Sequence, residues 1–168
     1  MKRDWTAILW GLALAFSAVG AVAQKAPVIV PSAELARVVP SSFYFEGQTG
    51  PTQMRNAAAA RFGQRQHVIA ALVDTSGYSA DVRAKYEGFL ITDIGITIND
   101  QRLDVGAYGF GFTEDGRFNL FDVSGRQLLS VAAAEDTGLR RPRPLMMVAV
   151  ADGVRLYSGR HYVRIKAR

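Results

Sequence analysis

From Ser41 onward the chain is a succession of short apolar runs broken by turn residues, repeating at intervals of about 8 to 12 positions, the rhythm of an antiparallel sheet protein. The runs are Phe43 to Glu46, Met54 to Phe62, His67 to Asp74, Phe89 to Ile98, Arg102 to Phe112, Arg117 to Val123, Gln127 to Ala132, Leu145 to Ala151, Val154 to Tyr157 and His161 to Lys166. Between them stand Gly47-Gln-Thr-Gly-Pro51, Gly63-Gln-Arg, Thr75-Ser-Gly77, Asn99-Asp-Gln101, Glu114-Asp-Gly116, Ser124-Gly125, Asp152-Gly153 and Ser158-Gly159. Tight hairpins require a positive φ, which glycine adopts without a Cβ clash. Links this short join antiparallel neighbours, because parallel pairs need long crossovers. The pattern therefore predicts a mostly β chain: an antiparallel β sandwich or small barrel of about 8–10 strands, with at most one or two short helices.

Alternation within single runs assigns faces. In Gly106-Ala-Tyr-Gly-Phe-Gly-Phe112 the rings of Tyr108, Phe110 and Phe112 share one side of a strand, and Gly109 and Gly111 share the other. In the final run His161, Val163, Ile165 and Ala167 are expected inside, whereas Tyr162, Arg164, Lys166 and Arg168 face the opposite way. Ala57 to Ala60 would also suit a helix, but the bracketing turns assign Met54 to Phe62 to a strand. The body's helix candidate is Ser79 to Tyr86, with Ser79 as its N-cap. Ahead of Ser41, the prolines at 27, 31 and 40 predict an extended lead-in over 24–40, with at most a short helix over Ala33 to Val39.

The first residues have a different character. Lys2 and Arg3 precede an apolar stretch that ends in Ala21-Val-Ala23, the small-x-small pattern of a signal-peptidase site. Met1–Ala23 is accordingly expected to be a signal peptide cleaved before Gln24, which places the protein in the periplasm or the medium. The apolar run falls short of the roughly 20 residues that cross a bilayer, so no transmembrane span is expected after cleavage. Removing the leader leaves 145 of 168 residues, with 41–168 as a single β domain.

Composition narrows the chemistry. The chain has no cysteine, which excludes disulfides, thiolate metal sites and thiol catalysis. The formal charge of +5 is unevenly distributed. Gln24 to Thr137 carries 10 basic against 13 acidic residues, whereas Gly138 to Arg168 carries 8 basic residues against Asp152 alone. In an exported protein such a segment meets anionic lipid headgroups, lipopolysaccharide or acidic polysaccharide, so no nucleic acid partner is expected. The alternative is that these charges keep a terminal strand from pairing edge to edge.

Candidate sites follow from these patterns. Thr137-Gly-Leu-Arg-Arg-Pro-Arg-Pro144 presents Arg140, Arg141 and Arg143 on a backbone stiffened by proline. With Arg160, Arg164 and Lys166 these arginines are the candidate contacts for an anionic envelope component. Gly109 and Gly111 strip one strand face of side chains, leaving a place for a flat ligand or for close packing. They do not form a dinucleotide fingerprint, because position 114 is Glu where a third glycine is needed. Gly77-Tyr-Ser79-Ala-Asp81 lacks the second glycine of a nucleophile elbow. His67 and His161 have no metal-ligand spacing, although Asp74 or Asp93 are conceivable partners for them. No catalytic residue, metal or cofactor is assigned.

The stretch Ile96 to Phe112, with Leu103, Gly106 and Tyr108 at its key positions, resembles the strand, turn, Leu-x-x-Gly-x-Tyr, strand pattern of several exported bacterial β proteins. The resemblance implies a compact β domain of unassigned role and carries no catalytic residue. The leading expectation is an exported, non-enzymatic β domain with a binding or envelope-associated role. Two alternatives stand beside it: a β barrel carrying a small apolar ligand, and a hydrolase built on paired carboxylates or a His and an acid.

Overall fold

The computed structural model describes Ala26–Arg168, and the expected signal peptide, Met1–Ala23, lies outside the described residues. The strands are β1 (Val28–Ile29), β2 (Ser42–Phe45), β3 (Gln48–Phe62), β4 (Gln66–Val73), β5 (Gly88–Thr92), β6 (Ile96–Ile98) and β7 (Gln101–Leu103), followed by β8 (Gly106–Phe112), β9 (Arg117–Phe121), β10 (Gln127–Ala132), β11 (Ala134–Glu135), β12 (Arg143–Val150), β13 (Gly153–Gly159) and β14 (His161–Ala167). A 3-10 turn spans Ser32–Arg37, and the helix α1 covers Ala80–Arg83. Ser79 caps α1 as expected, its hydroxyl accepting from the Val82 amide at 3.4 Å.

Every ladder is antiparallel, and the strands form two sheets that pack as a β sandwich and do not close into a barrel. The first is eight-stranded in the order β1-β3-β4-β5-β8-β9-β10, with β2 folded onto β3. The second is six-stranded in the order β12-β13-β14-β6-β7, with β11 also on β14. The strand count exceeds the expected 8–10 partly because two long apolar runs are each divided between the sheets. Phe89 to Ile98 contributes β5 to one and β6 to the other, and Arg102 to Phe112 contributes β7 and β8. They form one bent hairpin: Thr92 pairs with Gly106 in the first sheet, and Ile96 with Leu103 in the second.

Local chemistry makes the bend. The buried Thr92 hydroxyl donates to the Ile94 carbonyl at 2.6 Å, tightening one corner. At the other, the Tyr108 hydroxyl donates to the Asp104 carbonyl at 3.0 Å, and its ring lies where a Gly106 side chain would be. Leu-x-x-Gly-x-Tyr is therefore a corner device in this fold.

Between the sheets the core consists of Ala58, Ala60, Val68, Ala70, Leu90, Phe110, Phe118 and Leu120 from one side, facing Ile96, Ile98, Leu145, Met147, Val154, Leu156, Val163 and Ile165 from the other. Phe110 is completely buried, while Tyr108 and Phe112 pack at the margin of this core. A second apolar layer lies on the far side of the eight-stranded sheet. There Val30, Leu35, Val39, Phe43, Phe45, Tyr78, Val82 and Tyr86 cover Ala59, Ile69, Ala71 and Phe89. Phe45 stacks on Tyr86 with ring centres 4.0 Å apart, and Phe43 on Phe89 at 4.7 Å.

This second layer corrects the expected lead-in. Val28 and Ile29 pair with Arg61 and Ala60, and Val30, Leu35 and Val39 are buried, so the packed body begins well before Ser41. It also explains Ala57 to Ala60: a strand buried on both faces leaves little room for side chains, and alanine fits there despite its helical preference.

Candidate functional site

The six-stranded sheet buries one face in the core and leaves much of the other, above all along β14, accessible, so period-two alternation decides which side chains reach solvent. In β14, Val163 and Ile165 enter the core while Tyr162, Arg164 and Lys166 take the outer face, as their spacing predicts. The two-residue turn Gly159-Arg160 sets the register with β13, placing Arg155 opposite Arg164 and Tyr157 opposite Tyr162. On the other side of β14, Thr97 pairs with Lys166. Aromatic and cationic side chains from β13 and β14, with Thr97 of β6 beside them, thus share this outer face.

Its geometry is well defined. The Arg155 guanidinium lies over the Tyr162 ring, 4.6 Å from its centre. It donates to the Tyr157 hydroxyl at 3.3 Å and stands 3.9 Å from the Asp136 carboxylate, which accepts from that hydroxyl at 3.0 Å. The Arg155 Nε is buried without an acceptor among the described residues. Lys166 and Asp152 form an ion pair at 2.7 Å. That hydrogen bond holds the Asp152 carboxyl below its ordinary range, with help from the nearby Arg164 charge, and pushes the Lys166 ammonium up. Arg164 is exposed and has no ion-pair partner among the described residues.

Arg164 and Lys166 line a groove of about 270 Å³ with Thr97, Asn99, Asp100, Ala134 and Tyr162. Asn99 is anchored in its lining. Its side-chain oxygen accepts from the Arg164 amide at 2.8 Å and its nitrogen donates to the Ala132 carbonyl at 2.8 Å, tying the β6–β7 turn to β14 and β10. The groove lies where β6 and β11 meet the same edge of β14.

The other predicted contacts are placed elsewhere. Arg160 is a structural clamp, one nitrogen donating to the carbonyls of Asp136, Thr137 and Leu139 at 3.5, 3.2 and 2.6 Å. Arg140 and Arg141 are exposed in the loop that this clamp anchors. Arg143 opens β12 opposite Gly159, at the Arg160 end of the β13–β14 hairpin, and lines a separate groove beside Arg55, Ile29 and Met146. Arg164 and Lys166 lie toward the other end of that hairpin, so the expected six-residue basic patch is divided along its length. Gly109 and Gly111 are not an open contact surface. A side chain at Gly109 would collide with the Phe45 ring, and one at Gly111 with the Lys85 carbonyl, so close packing explains both.

Arg155 and Tyr162 were not among the predicted contacts. The signal for them was present: a two-residue Gly159-Arg160 turn fixes which residues of β13 and β14 stand opposite each other.

Other chemistry is sparser. His67 meets Asp93, their side chains 3.6 Å apart, and the carboxylate also accepts from the His67 amide at 3.1 Å. Among the described residues no three His, Asp or Glu side chains gather as metal ligands. A cleft of about 310 Å³ is lined by Gln53, Thr75, Arg83, Glu87 and Ser158. Burial pushes the Glu87 carboxyl up, opposed in part by the Phe112 amide that donates to it at 3.0 Å. Ser158 stands opposite His161, but no side-chain hydrogen bond joins them among the described residues, so the pair lacks the contact that activates a nucleophile. No described helix is long and apolar enough to cross a membrane. No family model matches the chain, and comparison with curated proteins and with solved structures returns no match.

Proposed function

We propose that the protein is an exported, non-catalytic β-sandwich domain, periplasmic or secreted, that binds an anionic component of the cell envelope through the outer face of its six-stranded sheet. One observation carries the reading: Arg155 and Arg164 are directly opposed on that face, and only Arg155 has an acidic neighbour within ion-pair distance among the described residues. Like charges facing each other across a ladder are destabilising, and a bound anion removes the penalty. Export rests on the leader pattern of Met1–Ala23.

The test begins with fractionation of expressing cells. The protein is expected in the periplasm or medium with Gln24 as its first residue; an intact Met1 on cytoplasmic protein refutes export. The recovered protein is then passed over an acidic-polysaccharide resin and a neutral one. Retention on the acidic resin alone, released by salt and lost when Arg164 and Lys166 are both changed to Glu, is the expected result. Equal behaviour of the two proteins on the acidic resin refutes the assigned face.

A further inference from the structure

We infer that the groove beside Arg164 is a subsite for one carboxylated sugar residue, a single negative charge surrounded by hydroxyls, rather than for a densely charged polymer segment. The inference rests on the anion-binding reading above and names its ligand class.

The local charge balance argues for a single charge. Lys166 is already held by Asp152 at 2.7 Å, and Arg155 has Asp136 at 3.9 Å. Asp100 stands on the groove wall. Among the groove-lining residues Arg164 is left as the cation without an ion-pair partner, and a polymer bearing a charge at every unit would meet Asp100, Asp136 and Asp152 as well. A planar guanidinium pairs with a carboxylate through two parallel hydrogen bonds, which suits one carboxylate on one arginine.

The other groups in the groove suit a sugar. Thr97 and Tyr162 line it, and their hydroxyls make no hydrogen bond among the described residues, which leaves both free to donate to or accept from ring hydroxyls. The Tyr162 ring is braced by Arg155 at 4.6 Å and by Tyr157 at 5.1 Å, which lowers the entropy cost of holding it in place. At about 270 Å³ the groove falls just below the range usual for drug-sized ligands, a size for one ring rather than several.

The experiment is calorimetric titration of the protein with methyl galacturonoside, its uncharged methyl galactoside counterpart and dextran sulfate over a series of salt concentrations. Methyl galacturonoside is expected to bind, with an affinity that falls only gently as salt screens one ion pair; a polyanion neutralising several cations releases its condensed counterions and gives a steep slope. Methyl galactoside is expected to bind at least tenfold more weakly. Arg164→Gln should weaken methyl galacturonoside by tenfold or more, and Arg164→Lys should restore the charge without restoring full affinity. If dextran sulfate binds with a steep salt slope while methyl galacturonoside does not bind, the carboxylated-sugar inference fails and the anion-binding reading stands. If neither binds, both fail. Undiminished methyl galacturonoside binding by Arg164→Gln overturns the groove assignment.

Discussion

The two sheets are built from the same kind of strand and treat their outer faces in opposite ways. The eight-stranded sheet is covered on both sides, by the second sheet and by the layer containing Phe43, Phe45, Val82 and Tyr86, and it carries alanine and glycine where the covers press closest. The six-stranded sheet is covered once and places Arg155, Tyr162, Arg164 and Lys166 on its open face. A strand buried on both faces has no position to give to a ligand. Recognition chemistry therefore collects on the sheet with a free side, which is also where the basic C-terminal segment runs.

The contrast predicts where substitutions hurt, and the largest effect lies in the doubly covered sheet. A Cβ at Gly111 would strike the Lys85 carbonyl, a backbone group that cannot rotate away. Gly111→Ala is expected to cost about 2 to 3 kcal/mol, the scale of an overpacked core, read as a lower denaturation midpoint in urea. An unchanged midpoint would mean that the cover layer is loose and the contrast between the sheets is overstated.

A smaller effect concerns Glu87, the acid beside β5 whose carboxyl is raised by burial. The folded state then holds a proton more tightly than the unfolded chain does. The stabilising contribution is complete below the ordinary glutamate value and is lost as pH rises through the elevated folded value. Glu87→Gln, which keeps an oxygen for the Phe112 amide, should be more stable than the native protein at neutral pH by less than Gly111→Ala costs. The difference should vanish in acid. Parallel stability curves across pH would sink this expectation.

Smallest is the change on the open face. Arg164→Ala should alter stability by no more than about 0.5 kcal/mol, and in the stabilising direction because it removes the cation facing Arg155. A clear loss of thermal stability would make Arg164 part of the scaffold, erasing the division between a structural sheet and a recognising one.

Much of this organisation was legible in the chain. Turn glycines and short apolar runs locate most strands, and alternation in His161 to Lys166 separates Val163 and Ile165 from Arg164 and Lys166 correctly. What escaped has physical reasons. Phe89 to Ile98 reads as one strand because a change of sheet costs no hydrophobicity; Thr92, Asp93 and Gly95 are its local traces. The burial of Val30, Leu35 and Val39 depends on a distant strand, β3, against which their segment packs. The acids that neutralise Arg155 and Lys166 lie in loops and turns at Asp136 and Asp152, and their choice of partner is made by sheet pairing rather than by spacing.

One feature of the topology also sets an order in time. β14 lies inside its sheet, between β13 on one edge and β6 and β11 on the other, and its partners in β6 precede it by more than sixty residues. Without His161 to Ala167 the β6–β7 arm has no neighbour in its own sheet and one edge of β13 has no partner. The first sheet needs no residue beyond β10, but the second is joined only where β14 links β13 to β6, and such long-range pairing is slow. The groove beside Arg164 therefore exists only once β6 and β14 have paired, and its appearance reports that closure.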